Sequence, residues 1–224
     1  MKDYGVFDVL GPIMIGPSSS HTAGAARIAK VAKEIVDKDF KKVLFYLHGS
    51  FGKTYKGHGT DKALVAGILG MDPSDAKLKD SFEIAKDKNI EFEFIEADLG
   101  YYHPNTVKIV FEFDNDEDMC VIGSSVGGGN IVIVDINGNK VEFSGDYPTV
   151  ILKYKDQKGV ISRISAVLSA HEINIATMKV TREEDIATMI IEADSNIDKI
   201  VVDEVGELDN VLYIKGINPI ERWC

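Results

Sequence analysis

The chain has 224 residues, 45% hydrophobic and 27% charged, a balance that suits one or two folded domains and excludes a disordered chain. No apolar run reaches the roughly 18 residues of a membrane helix, which excludes a spanning protein. Lys and Arg number 25 against 36 Asp and Glu, a net charge of −11 spread over both halves, so neither nucleic acid nor an anionic membrane is an expected partner.

The opening MKDYGVFDVLGP has no basic-then-apolar signal, and two cysteines, Cys120 and Cys224, cannot build a disulfide framework. Both features point to the cytoplasm. Two cysteines also fall short of the four that an iron–sulfur or zinc site takes, so a cluster would need ligands from another chain.

In chain order, Ala25, Ile28, Ala29, Ala32, Ile35 and Val36 recur at spacings of three and four, which predicts a helix over 25–36. A short strand follows at Val43–Leu47. Asp61–Leu69 reads as a second helix capped by Thr60 or Asp61, and Pro73–Asp87 as a third, with Pro73 near its start. The period then changes to two: Ile90, Phe92 and Phe94 alternate with Glu91 and Glu93, and Val107, Ile109, Phe111 and Phe113 with Lys108, Val110 and Glu112. The run Ile131–Ile136, the turn Asn137-Gly138 and Lys140–Phe143 read as a hairpin.

Ser144-Gly145-Asp146-Tyr147-Pro148 is rich in turn formers and marks a boundary between domains at 1–146 and 147–224. Beyond it the expected order is strand (149–154), helix (160–171), strand (175–181), strand (186–192), helix (197–207) and strand (211–214). The βαββαβ order is that of a ferredoxin-like sandwich. The fold class is therefore α+β, an α/β domain followed by a ferredoxin-like one.

This second module resembles an ACT domain, a small unit that commonly binds amino acids. The resemblance rests on Asp156-Gln157-Lys158-Gly159-Val160 between strand and helix and on Glu172-Ile173-Asn174-Ile175 entering the second strand. It implies ligand contacts at Asp156, Gly159, Val160 and Asn174, and a homodimer formed through the domain. Gly159 frees a helix N-terminus whose N–H groups suit a carboxylate.

In the first domain, Gly16-Pro17-Ser18-Ser19-Ser20-His21-Thr22-Ala23-Gly24 stands directly before the amphipathic helix. Hydroxyls beside a helix N-terminus suit a carboxylate or phosphate, and a cap would need only one of them. Lys56-Gly57-His58-Gly59-Thr60-Asp61 also leads into a helix; a histidine between glycines approaches a ligand closely, and imidazole ordinarily titrates near neutrality. His103-Pro104-Asn105-Thr106 reads as a turn, and Gly123-Ser124-Ser125-Val126-Gly127-Gly128-Gly129 as an anion cradle or a glycine-rich bulge or hinge. His48, His171 and Cys120 read as structural, and Cys224 as a frayed tail or a reactive thiol.

Taken together, Val6-Phe7-Asp8, Gly16–Thr22, Gly57–Asp61, His103–Thr106, Ser125–Gly129 and the terminal module resemble the β chain of the iron–sulfur-dependent bacterial L-serine dehydratases. Asn130 departs from the aromatic or apolar residue common after the glycines. The family eliminates water from L-serine to give pyruvate and ammonia, with a [4Fe–4S] cluster held by cysteines of an α subunit. The resemblance implies His58 as base, Ser18, Ser19, Ser20, His21 and Thr22 as substrate contacts, and His103, Asn105, Ser125, Gly127 and Gly128 as pocket support. It implies no metal ligand on this chain. The first domain also resembles the allosteric substrate-binding domain of some phosphoglycerate dehydrogenases. A non-catalytic amino-acid sensor is the alternative from another class, and an independent metal hydrolase lacks a HExxH-like spacing.

Overall fold

The computed structural model describes residues 13–114 and 116–218; Val6-Phe7-Asp8 and Cys224 lie outside them. Its contacts divide the chain between Gly138 and Asn139 into two compact units.

The first unit opens with a π-helical turn, Ser19–Ala23, that runs into α1 (Gly24–Val36). There follow β1 (Lys42–Leu47), α2 (Ser50–Thr54), α3 (Thr60–Ile68), a 3-10 turn (Ala76–Asp80) and α4 (Ser81–Asp87). The strands β2 (Glu91–Glu96), β3 (Thr106–Glu112), β4 (Met119–Gly127) and β5 (Asn130–Ile136) complete it. The sheet order is β2-β1-β3-β4-β5. The β1–β2 pair is parallel and the others antiparallel.

Helix α1 packs on β3, β4 and β5 and against α3. Its buried face is small and branched, with Ala25, Ile28, Ala29, Val31, Ala32 and Ile35 all at 2% exposure or less. That face matches the three-and-four spacing of the sequence. Asn137 and Gly138, both at positive φ, make the expected tight turn, which leads into β6 (Asn139–Phe143).

Several local expectations are corrected. The N-cap position of helix α3 is the left-handed Gly59, not Thr60 or Asp61, although within the first turn the Asp61 carboxylate accepts from Lys62 N at 2.8 Å. The helix expected over Pro73–Asp87 starts late and in two pieces: the Asp75 carboxylate accepts from Lys77 N at 2.8 Å and starts the 3-10 turn, and α4 begins only at Ser81. Ser81, fully buried, then turns its hydroxyl onto the Lys62 carbonyl at 2.9 Å. Gly123, Ser124 and Ser125 continue β4, whose register on β5 shifts at Ile122/Gly123 and Ser125/Gly127 as a bulge does, and Gly127, Gly128 and Gly129 take the positive φ of a turn. The five-residue helix α2 had no sequence signal. By its contacts strand β6 groups with the second unit.

The second unit contains β7 (Thr149–Lys155), α5 (Val160–Ala170), β8 (Ile175–Glu183), β9 (Ile186–Ala193), α6 (Lys199–Gly206) and β10 (Val211–Ile217). The antiparallel order β10-β7-β9-β8 realises the βαββαβ expectation. Alternate residues Val150, Leu152 and Tyr154 of β7 and Ala187, Met189 and Ile191 of β9 pack with Val160, Ile164, Leu168, Val201 and Val205 of the helices in one core.

Helices α1 and α3 meet almost backbone to backbone at Gly67, where an added Cβ would lie 2.3 Å from the Ala26 carbonyl oxygen and 2.6 Å from Ala29 Cβ. Alanine would gain about 1 kcal/mol in helix propensity, but forcing a methyl against backbone costs about 1–3 kcal/mol. Gly67→Ala is therefore expected to lower the urea unfolding midpoint; an unchanged or raised midpoint would show that the helices can separate freely.

Candidate active site

The site begins with a backbone device. Ser18 is extended (φ −141°, ψ 123°) and its hydroxyl accepts from His21 N at 3.1 Å. The Gly24 N–H then reaches back to Ser19 O, closing the wide turn of a π-helix, a form often found at functional positions. Gly16 (φ 130°) makes room for Thr22, since an added Cβ would stand 2.5 Å from Thr22 Cγ2.

His21 is gripped at both ring nitrogens. Nδ1 is 3.1 Å from Ser20 Oγ, and Nε2 is 3.0 Å from Ser50 Oγ. Ser20 Oγ lies 3.4 Å from Ser18 Oγ, extending the hydroxyl chain. The ring also meets Phe51 edge-on, centroids 5.3 Å apart, and lies 4.7 Å from the His58 ring at a 53° tilt. Burial, with the neighbouring His58 adding to it, holds the His21 imidazole below its ordinary 6.5.

The two histidine loops are tied together by Thr22, which donates its hydroxyl to the His58 carbonyl at 2.9 Å and is buried. Thr22 is thus a strut between the loops. His58 Nδ1 is buried and has no hydrogen-bond partner among the described residues; the same holds for Thr60 Oγ1 and Ser125 Oγ. Burial also raises the Asp61 carboxyl above its ordinary value, against the opposing bond from Lys62 N.

The remaining expected residues divide. Asn105 O accepts from Ser125 N at 2.9 Å, so the His103–Thr106 segment does join β4 beside α1. Thr106 and Ser124 share a buried hydroxyl contact of 2.7 Å. The His103 ring, however, is exposed and accepts from Asn105 N at 3.1 Å, which turns it onto its own loop. Gly127 and Gly128 lie in a turn closed by Asn130 Nδ2 on Gly127 O, and Arg27 holds the adjoining Gly129 carbonyl at 2.7 Å. His48 and His171 make structural bonds, to Leu99 N and Glu204 respectively.

Ser50 is the functional candidate that sequence reading missed. It follows Gly49 (φ 57°), where an added Cβ would be 2.8 Å from Pro104 O, and its own N–H donates to that oxygen at 2.8 Å. A lone serine after a strand has no periodic signal; Gly49-Ser50 after β1 was the one available hint.

In the second unit Asp156 is exposed and pairs with Arg182 Nε at 2.7 Å, near left-handed Gly159 at the start of α5. Val160 is a core residue, leaving only its backbone for a ligand. Asn174, bonded to Asp194, precedes β8 at the Ala193 end of the register, whereas Asp156 follows β7 at the Ile186 end. Within one chain these ACT positions stand at opposite ends of the sheet.

The chain matches the family description "Serine dehydratase beta chain" over residues 5–135 and "ACT domain" over 149–210. The interval between these matches contains both the contact division and the expected boundary. The L-serine dehydratase beta chain of Peptoniphilus asaccharolyticus is 53% identical over 185 residues, 82% of this chain and 83% of that one. A probable L-serine dehydratase beta chain of Bacillus subtilis is 42% identical over similar shares, 82% and 83%. The D-3-phosphoglycerate dehydrogenase of Bacillus subtilis is 28% identical over 166 residues, 71% of this chain and 30% of that enzyme. With a beta-chain match that spans more than half of its length and a beta chain 53% identical along four fifths of it, the protein belongs to the serine dehydratase beta-chain family and carries an ACT domain after the family's own domain.

Proposed function

We propose that this chain is the beta subunit of a cytoplasmic L-serine dehydratase, working with an alpha subunit on L-serine, and that its two histidine loops take part in the elimination. The observation that carries this reading is the meeting of His21 and His58 at 4.7 Å with His58 Nδ1 buried and unpartnered among the described residues. We assign the domains to 1–146 and 147–224 and a homodimeric contact to the ACT domain.

A [4Fe–4S] cluster, if this enzyme uses one, does not fit the residues here. Such clusters take cysteine thiolates; among the described residues the free cysteine is Cys120, whose thiol burial pushes up, and no three His, Cys, Asp or Glu side chains converge. The cluster belongs to the alpha subunit in this reading, and no step below runs through it.

The hydroxyls of Ser18, Ser19 and Ser20 receive the carboxylate of serine, with His21 holding Ser20 in place through Nδ1. Asn105 and Ser125 brace the wall, and Gly127 and Gly128 shape its rim. His58 Nδ1 takes the α-proton; the C–H electron pair forms the Cα=Cβ bond as the Cβ–O bond breaks. One proton leaves carbon and one is needed to turn the departing hydroxide into water, so the step has no net demand for acid. The aminoacrylate then adds water and loses ammonia to give pyruvate.

A second reading has a specific support. The dehydrogenase alignment of 166 residues is too long to lie within the ACT match at 149–210, so part of the first domain is shared by an enzyme of different chemistry. That favours amino-acid binding for regulation.

In the assembled enzyme, His58→Gln should lower kcat by about 100-fold or more, the usual contribution of a general base, with alpha–beta association retained. Full turnover would remove His58 as base; serine titration of this chain, followed by calorimetry, would then test the regulatory reading.

The depressed His21 pKa gives a pH dependence with a definite sign. The unfolded chain binds a proton at about 6.5 that the folded chain refuses, so stability is complete above that pH and falls as pH drops below it. Unfolding in urea at about pH 7.5 and about pH 5.5 should show a smaller loss for His21→Gln than for the wild type. Equal losses would assign the acid sensitivity to other groups.

A further inference from the structure

We propose that Ser50 is a positioning residue that fixes the tautomer of His21, and that the His103-Pro104-Asn105 segment acts through it; the catalytic consequence, though not the positioning itself, rests on the function proposed above.

A neutral imidazole has one N–H donor and one acceptor nitrogen. His21 meets a serine hydroxyl at each, Ser20 at 3.1 Å and Ser50 at 3.0 Å. One serine must therefore donate while the other accepts, and either hydroxyl can take either part. It is the presence of both that couples the ring's tautomer to its neighbours, and loss of Ser50 releases Nε2 from that coupling. Ser20 lies next to His21 in the chain and moves with the same turn. Ser50 comes from another element, 29 residues away, so its hydrogen bond ties the ring to α2, where Phe51 also meets it edge-on.

Ser50 is itself held by backbone. Its N–H donates to Pro104 O at 2.8 Å, and Phe51 N reaches the same oxygen at 3.4 Å. Gly49, at φ 57°, lies so near Pro104 that a Cβ would stand 2.9 Å from its Cα. The flanking residues lock Pro104 in turn: Thr106 Oγ1 donates to His103 O at 2.6 Å, His48 N donates to Thr106 O at 3.0 Å, and Ser125 N donates to Asn105 O at 2.9 Å. The segment is thus engaged on both sides of Pro104 while the His103 side chain faces outward. The cap position of α2 is Gly49, which has no side chain to bond, and the Ser50 hydroxyl is spent on His21.

The test uses the full-length chain and long-range 1H–15N spectra of its imidazoles, with His21 assigned by the signals lost in His21→Gln. The wild type should show one tautomer at His21. Ser50→Ala should give the other tautomer or an exchanging mixture, and Ser50→Thr should restore the wild-type pattern. Gly49→Ala, which keeps the hydroxyl but displaces it from Pro104, should behave like Ser50→Ala; it also covers the case in which Ser50→Ala fails to fold. A wild-type His21 pattern in either displaced variant would overturn the proposal. In the assembled enzyme Ser50→Ala should lower kcat about tenfold with KM little changed, the scale of one hydrogen bond. A changed tautomer with unchanged kcat would uphold the positioning role and count against the catalytic reading instead.

Discussion

The backbone of α1 approaches its neighbours more closely than side chains would permit, and the first unit is arranged around that approach. Gly24 at its start leaves space for Ser125 of β4, Gly67 of α3 leaves space for the Ala26 carbonyl, and Gly123 of β4 leaves space for Ile28. Added Cβ atoms would meet these groups at 2.1, 2.3 and 2.6 Å. Packed interiors transmit such constraints because they hold few voids. The turn that carries His21 is therefore placed by close approaches at glycines to the sheet and to α3, whose own N-terminal loop carries His58. The 4.7 Å separation of the rings is a consequence of helix packing, and the Thr22–His58 bond secures it.

The polar groups around that junction give the fold a second character. A buried donor or acceptor left without a partner costs about 1–3 kcal/mol. Among the described residues four side-chain atoms are in that position, and three of them, on His58, Thr60 and Ser125, belong to segments at this junction. The fourth, Tyr154 OH, is in the second unit, where burial raises the phenol above its ordinary value. Sites that await a bound group tolerate such atoms because the ligand supplies the missing bond.

Legibility followed the length scale of the physics. The second unit could be read almost element by element, since β-branched residues at period two and a glycine ahead of an amphipathic helix are local signals. Helix α1 was equally plain from its alanine and isoleucine stripe. The glycine-rich stretch at 123–129 left a cradle, a bulge and a hinge open in the sequence; the register of β4 on β5 is bulged there, and the reason for Gly123 lies on another element, in the methyl groups of Ile28. Capping of α3 by Gly59 was missed because Thr60 and Asp61 are better caps by type, yet Thr60 is buried. Both histidine segments stood out in the sequence, but not that they touch. Ser50 had no pattern to announce it: its role depends on a nonlocal bond to His21 and on a carbonyl of Pro104 further along the chain.

The chemistry of the histidine pair bears on what the junction is for. Carboxylate recognition calls for donors and positive charge, and the serine hydroxyls and helix starts supply the donors. A histidine whose proton affinity is reduced by burial, and reduced further by a second histidine beside it, is poorly suited to supply the charge. Near neutral pH the His21 ring is instead an uncharged link between two hydroxyls, pressed against a ring with an unpartnered nitrogen. Such an arrangement is suited to holding an acceptor in place while a proton moves, and it adds little to the holding of an anion. On that ground the part proposed for the pair is one in the elimination and not in anion binding alone, on a scaffold that is partly similar to a D-3-phosphoglycerate dehydrogenase.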